Sequence, residues 1–351
     1  MTRLALLLLA LLTACPHAWA SDIRILTRSS YLSPDLVRKF EHETGISVIS
    51  EEVADHATLM ARLSQPESGS DIAFLPDHHV AGLIESGRLE RIWADRLPGF
   101  WNIEDPWRSR SFDPRNEYTI PLQWGTTAFA VDTSIHKGDM DSLKLLFEPP
   151  PDIAGHIALM DDTDMLHLAL LYLGEPRCTT DKAKLDKAAR LLAPLVAQSW
   201  LVQPNQVING LTSAEVALGV TWNGDAMRAR ETRPSLAYAY PREGNLVWTD
   251  MLAVPRNPPN RANALKFLAF MLRPDNAALQ SNFNGYANMI RGSEAFMRPQ
   301  VLGAPELVAP WPAKVGFFVS CNSGVERQHE ALWAEIKSRS ANTRQRGKNV
   351  K

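Results

Sequence analysis

Ile23-Arg24-Ile25-Leu26-Thr27, Ser33-Pro34-Asp35-Leu36-Val37, Ile46-Ser47-Val48-Ile49 and Asp71-Ile72-Ala73-Phe74-Leu75 follow one another near the start of the chain, and together they decide its fold class. The first, third and fourth are short apolar runs of β character. The second opens a helix: Ser33 can cap it, Pro34 suits its first position and Asp35 its first turn. Leu36, Val37 and Phe40 supply the apolar face and Gly45 ends it. A second helix follows Asp55 with Leu59, Met60 and Leu63, and a third covers residues 80–86 before Gly87. Strand alternating with helix is the pattern of a parallel α/β sheet.

Further along, residues 98–118 are rich in Pro, Trp and Arg without a helical period and read as surface loops. Residues 119–131 are β-like and contain Trp124-Gly125. After Pro149-Pro150-Pro151 a new α/β pattern starts, with a strand at 157–160, helices at 166–173 and 182–197, and a strand at 216–222. Short strands are expected at 236–240 and 252–254. An amphipathic helix over 260–272 presents Leu265, Leu268 and Met271, and a final helix at 326–337 precedes a basic tail expected to be solvated. Two α/β patterns joined by a β-rich crossing predict two lobes with a pocket between them.

The chain of 351 residues carries 37 basic and 39 acidic side chains, so no basic footprint for nucleic acid is present. Met1-Thr2-Arg3 followed by the apolar run 4–12 reads as an export signal, because about 14 Å of helix cannot cross a hydrocarbon core of ~30 Å. Cleavage after Ala20 is the expected outcome; Leu12-Thr13-Ala14-Cys15 also fits a lipobox, which would leave a lipid on Cys15. Cys178 and Cys321 then remain, and their spacing leaves open whether they form a bridge or stay as thiols. Ten Trp against six Tyr is a notable excess of the ring that best faces a cation.

No nucleophile elbow, phosphate-binding glycine loop, dinucleotide fingerprint or zinc-protease helix occurs. Asp77-His78-His79 resembles the aspartate–histidine–histidine signature of some metal phosphoesterases, but the further carboxylate motifs that signature needs are missing. Its simpler reading is a helix start capped by Asp77. Asp161, Asp162 and Asp164 lack the glycine turn and closing glutamate of a calcium loop. No enzymatic role and no cofactor are expected.

Several motifs in fixed order resemble the periplasmic polyamine (spermidine/putrescine)-binding proteins of ABC importers. They are Phe40-Glu41-His42-Glu43-Thr44-Gly45-Ile46; Ser111-Phe112-Asp113-Pro114-Arg115 through Pro121 with Trp124-Gly125-Thr126-Thr127-Ala128; and Val220-Thr221-Trp222-Asn223-Gly224. Tyr240-Pro241-Arg242-Glu243-Gly244 with Trp248-Thr249-Asp250, then Leu272-Arg273-Pro274-Asp275 with Asn284-Gly285-Tyr286, complete the run. The resemblance implies a two-lobed α/β periplasmic binding protein fold, each lobe a mixed, mostly parallel sheet flanked by helices, with the ligand cleft between lobes. It places one lobe at 21–124 plus 250–294 and the other at 125–249 plus 295–341, followed by a tail at 342–351.

By the same resemblance, Trp222 and Trp248 would wall the ligand's methylenes and cations, and Asp250 would be the principal ammonium-binding carboxylate. Asp162 matches a second carboxylate, Tyr286 an aromatic hydroxyl and Tyr31 a tyrosine of the first loop. Alternation along an extended strand puts Trp248 and Asp250 on one face. The departures bear on the ligand. Arg28 and Ser30 stand where the family has an aromatic and a glutamate, Met165 replaces a glutamate, His78 a tyrosine and Val319 a polar residue. Arg28 beside a polycation would repel it, so either Arg28 turns onto Asp77 or another carboxylate, or the ligand is an ω-amino acid with its amine on Asp250 and its carboxylate on Arg28. The expected partners are a small amine ligand and either the permease of an ABC importer or the periplasmic sensor domain of a signalling protein, with the receptor itself a monomer.

Overall fold

The computed structural model describes residues 22–53, 56–308 and 321–348. The export signal, Cys15, Ala20 and Val319 lie outside the described residues. The strands are β1 (Ile23–Arg28), β2 (Val48–Val53), β3 (Ile72–Pro76), β4 (Thr119–Asp132), β5 (Ile157–Met160), β6 (Trp200–Val202), β7 (Leu218–Trp222), β8 (Leu236–Tyr238), β9 (Leu246–Ala253) and β10 (Ala287–Asn288). They form one ten-stranded sheet with the main order β2-β1-β3-β9-β4-β7-β5-β6, while β8 and β10 pair with β4.

Two parallel groups make up that sheet. β1 pairs in parallel with β2 and β3, and β5 with β6 and β7. Two long antiparallel strands join them: β9 runs against β3, β4 runs against β7, and β4 and β9 pair with each other from Thr119 opposite Ala253 to Thr127 opposite Leu246. The register shifts between Pro121 and Gln123, at the point where the pair passes from one group to the other. Both groups are therefore hung on the same two strands.

Local chemistry sets the first group. Ser33 Oγ accepts from the Leu36 amide at 3.3 Å, Pro34 opens helix Pro34–Thr44, and Gly45 closes it in the left-handed region at φ 69°. Helices His56–Leu63 and Asp77–Glu85 alternate with β2 and β3 as the apolar periodicity predicts. In the second group, Asp181 caps helix Lys182–Gln198 through the Ala183 amide at 2.8 Å.

Three expectations need correction. Residues 98–118 are more than a surface loop: most of the segment is exposed or half-buried, with Trp101 67% exposed, but Phe100 and Ile103 are fully buried and Trp107 stacks on Trp124 at 5.6 Å. Irregular backbone can be buried here because the Asp113 carboxylate accepts from the amides of Glu117, Tyr118 and Thr119 at 2.8, 3.0 and 3.0 Å. The strand expected at 252–254 is the end of β9, which begins at Leu246. The last helix runs from Ser323 to Lys348, well past 337, through residues that are mostly good helix formers and with no proline to stop them. Its near half is tied to the second group by Trp333 Nε1 and Lys337 Nζ, which donate to Asp161 at 3.1 and 2.6 Å.

Cys178 and Cys321 are joined in a disulfide, with Cα atoms 5.3 Å apart and a sequence separation of 143. The open question of their pairing is settled by proximity that no spacing could show. Closing a loop of that length constrains the unfolded chain by roughly 5 kcal/mol in the entropic treatment, and measured effects are often nearer 2–4. The double variant Cys178→Ala with Cys321→Ala is expected to lower the urea midpoint of the oxidised protein and to abolish its sensitivity to reductant. Equal midpoints for wild type with and without reductant would show that the bond adds nothing.

Candidate functional site

The carboxyl ends of the parallel strands converge on one cleft. β1 ends at Arg28, β3 at Pro76 before Asp77 and His78, β5 at Met160 before Asp161 and Asp162, and β7 at Trp222. β9 crosses between them and contributes Trp248 and Asp250. Open α/β sheets place ligands at such strand ends. The inner part encloses about 450 Å³ including its mouth, and is lined by Arg28, His56, Asp77, His78, Asp162, Asp164, Arg177, Trp222, Trp248 and Asp250. A larger outer part of about 1110 Å³ shares Arg28 and Trp222 and adds Tyr31, Gln203, Asp225, Arg228 and Tyr286.

At the junction sits the Arg28 guanidinium. Its Nη2 donates to Asp250 Oδ2 at 3.0 Å, and its centre lies 4.5 Å from the Tyr31 ring and 4.6 Å from the Trp222 ring. The Tyr31 hydroxyl donates to the same Asp250 oxygen. Burial works against the charge on Arg28, yet Asp250 and its neighbours hold it protonated, with its pKa above the ordinary value. Tyr31 is brought back over Arg28 by a turn in which Ser30 takes φ 57° and the Tyr31 amide donates to Arg28 O at 3.3 Å. A buried amide network holds that turn: Gln280 donates to Tyr31 O at 2.7 Å, and Gln123 exchanges hydrogen bonds of 2.9 and 2.8 Å with Asn284.

The opposite wall of the inner cleft carries three carboxylates, Asp77, Asp162 and Asp164, with Arg177 among them. Asp162 takes the Asp164 amide at 3.0 Å and stands 3.7 Å from His56 Nδ1. Asp164 accepts from Thr127 Oγ1 at 2.7 Å and stands 3.8 Å from His167 Nδ1; burial alone would raise it, but the nearby imidazole and the Thr127 hydroxyl bring it down to about 2. Asp77 is buried with its Oδ1 accepting no hydrogen bond among the described residues, and burial pushes it up to about 6 against the pull of Arg177 and Arg110. His78 is held neutral, down to about 3, by burial and by the charges of Arg177 and His56. Arg177 in turn lies 3.7 Å from Glu326, whose burial raises it to about 7.

All eight residues singled out in the sequence border this cleft, but their partners differ from the simple picture. Trp222, Trp248, Asp250, Asp162, Arg28 and His78 line the inner part; Tyr31 and Tyr286 line the outer part with Arg28 and Trp222. Arg28 turns onto Asp250 itself rather than Asp77. Asp250 therefore faces a guanidinium and a phenol in place of an open approach for an amine. Met165 is fully buried in the core. Tyr286 donates to Asp225 Oδ1 at 3.0 Å, and Asp225 also pairs with Arg228 at 2.5 Å. Among the described residues, no three His, Cys, Asp or Glu side chains converge as metal ligands.

Sequence reasoning missed His56, Asp77 as a cleft residue, Asp164, Arg177, Asp225 and Arg228. Asp164 and Asp225 had a local signal, since each lies within the first turn of a helix that starts at a strand end. Arg177 had none; it reaches the cleft from the loop before Lys182–Gln198.

Similarity to known proteins agrees with this architecture. The bacterial extracellular solute-binding protein family matches residues 35–309. The spermidine/putrescine-binding periplasmic protein of Salmonella typhimurium is 30% identical over 297 residues, covering 84% of this chain and 85% of the relative. The putrescine/agmatine-binding protein of Pseudomonas aeruginosa is 26% identical over 348 residues, covering 93% and 95%. A solved spermidine/putrescine ABC transporter substrate-binding protein from Streptococcus pneumoniae superposes with TM-score 0.76 at 22% identity, covering 91% of this chain and 99% of that one. This last likeness shows the two-lobed periplasmic binding protein fold. A family match across most of the chain, on a sheet whose strand ends meet at one cleft, shows that this chain belongs to the bacterial extracellular solute-binding proteins.

Proposed function

We propose that this solute-binding protein captures a polyamine or a related amine-bearing metabolite by closing its lobes, and delivers it to the permease of an ABC importer without chemistry of its own. The observation that carries the reading is the lining of the inner cleft, where the carboxylates of Asp162 and Asp77 stand beside the indoles of Trp222 and Trp248, a setting suited to a cation. Such a setting stabilises a desolvated cation by roughly 2 kcal/mol from the ring and a further 1.5–3 from the charge-assisted bond. The names of the relatives, which are spermidine/putrescine- and putrescine/agmatine-binding proteins, support the amine class.

In this reading residues 1–20 direct export to the periplasm, with cleavage after Ala20 or lipidation at Cys15 as the two routes. The lobes are 21–124 plus 250–294 and 125–249 plus 295–341. They exchange at the middle of β4 and β9, so bending there opens the cleft. A micromolar solute needs only about −8 kcal/mol net, which a few such contacts supply after ordering costs.

Asp162, on the carboxylate wall and partly open to solvent, is the carboxylate best placed to receive the ammonium. Asp162→Asn is expected to weaken amine binding about 10- to 100-fold, the equivalent of ~1.5–3 kcal/mol for one charge-assisted hydrogen bond. Isothermal titration would measure it, and an unchanged Kd would remove Asp162 from the site.

Asp77 gives the cleft a pH response. Its pKa is about 6 in the fold against an ordinary 3.8, so the folded protein takes up a proton between those values. The stability associated with this group therefore falls as pH rises from about 4 to about 6, and the anionic form that favours a cation predominates above about 6. His78, at about 3, stays neutral throughout. Amine affinity is expected to drop about tenfold between pH 7 and pH 5. Asp77→Asn should bind more weakly at pH 7 and lose this part of the pH dependence; a variant with the same slope as wild type would exclude Asp77 as its source.

A further inference from the structure

Building on the amine-capture reading, we infer that Arg28 is the specificity determinant of the cleft: a resident cation that fills the Asp250 seat, so that the ligand is an amine with one ammonium end and an acceptor-bearing, carboxylate-like other end.

Three observations carry this. The first is occupancy. Asp250 already receives a guanidinium at 3.0 Å and the Tyr31 hydroxyl, and its side chain is only 4% exposed. A ligand ammonium could reach it only by expelling Arg28 or by lying beside it, and like charges so juxtaposed in a dry site discriminate strongly against the wrong partner.

The second is an excess of donors at the same place. Of the five N–H donors of a guanidinium, Arg28 places one in a hydrogen bond among the described residues, to Asp250. The indole Nε1 of Trp248, also on the inner cleft, is buried and meets no acceptor among the described residues. The buried indole donor calls for an acceptor, and the spare Arg28 donors, on a side chain 14% exposed, can serve the same one. A protonated di- or triamine has none to offer, whereas a carboxylate has lone pairs for both.

The third is polarity along the cleft. The carboxylate wall ends in Asp162, partly exposed, and in Asp77, whose buried Oδ1 accepts nothing among the described residues. The ligand's ammonium belongs at that wall and its acceptor end at Arg28 and Trp248. This reverses the arrangement in which the amine would sit on Asp250.

Matched pairs of equal chain length test the assignment: 4-aminobutyrate with putrescine, and 5-aminopentanoate with cadaverine, titrated calorimetrically into protein that has been unfolded, dialysed and refolded to strip any retained solute. Wild type is expected to bind at least one amino acid about tenfold or more tightly than its diamine partner. Arg28→Met, which keeps the bulk and removes the charge, should weaken amino-acid binding at least tenfold and strengthen diamine binding about 100-fold. Arg28→Lys, which keeps a cation, should retain the wild-type order, and a cooperative thermal transition is checked for Arg28→Met, which leaves Asp250 without its partner. Wild type preferring the diamines, or Arg28→Met leaving the order unchanged, overturns the role given to Arg28 while leaving amine capture standing. Failure of all three proteins to bind any of the four amines overturns both.

Discussion

The pairing of Arg28 with Asp250 is the interaction on which the cleft depends. It links the end of β1 to the middle of β9, and Tyr31 and Trp222 close over it from the first loop and the end of β7. With side chains 14% and 4% exposed, the two charges are little screened. At about 4 Å and an effective dielectric near 20 their attraction is roughly 4 kcal/mol, set against a desolvation penalty of several kcal/mol for each ion. The balance is close to neutral for stability. Losing one partner is a different matter, because a stranded charge costs roughly 3–5 kcal/mol. The pair is thus better understood as fixing what the cleft contains than as strengthening the fold.

The surrounding structure is arranged to keep that geometry. Gly125 lies opposite Trp248 on β4, and a Cβ there would come within 2.5 Å of the indole ring. Gly224, just after Trp222, gives the Tyr286 ring the same clearance. Trp248 and Tyr286 then meet at 5.2 Å, and Trp248 and Trp222 at 6.1 Å, in the edge-on arrangement that aromatic rings favour. The amide network of Gln123, Asn284 and Gln280 fixes the Tyr31 turn from behind. Fully satisfied buried amides of this kind are rigid, and a rigid support is what a narrow charged site requires.

The fold was largely legible because its signals are local. Alternating apolar strands and capped helices from Ile23 to Leu75 announce a parallel α/β group, and the same pattern returns after Pro151. What escaped were features set by long-range packing. Phe100, Ile103 and Trp107 are drawn into the core from an otherwise exposed segment, with the Glu104 amide bonded to Met289 O, and the disulfide brings together residues 143 positions apart. At the site, residue types and neighbourhood were readable; pairing was not. Arg28 could be named as a charge out of keeping with a polycation, but only the register of β9 beside β3 shows that the carboxylate within its reach is Asp250.

In the proposed closure, that register would tie recognition to the approach of the two strand groups. Asp250 and Trp248 sit on β9 at the stretch where the strand passes from pairing with β3 to running beside β4 alone. Arg28 and Tyr31 belong to the first strand group, whereas Trp222 and Asp162 belong to the second. A ligand bridging Asp162 and Arg28 would therefore touch both groups at once. Its contacts with Asp162 and Trp222 would be made in full only when the groups approach, and binding energy realised only in the closed form is what shifts a two-state equilibrium toward closure. A solute that fails to reach Arg28 from Asp162, or is repelled there, would bind one wall without drawing in the other. On the proposed pose, selectivity for the ligand and selectivity for the closed form would rest on the same few contacts.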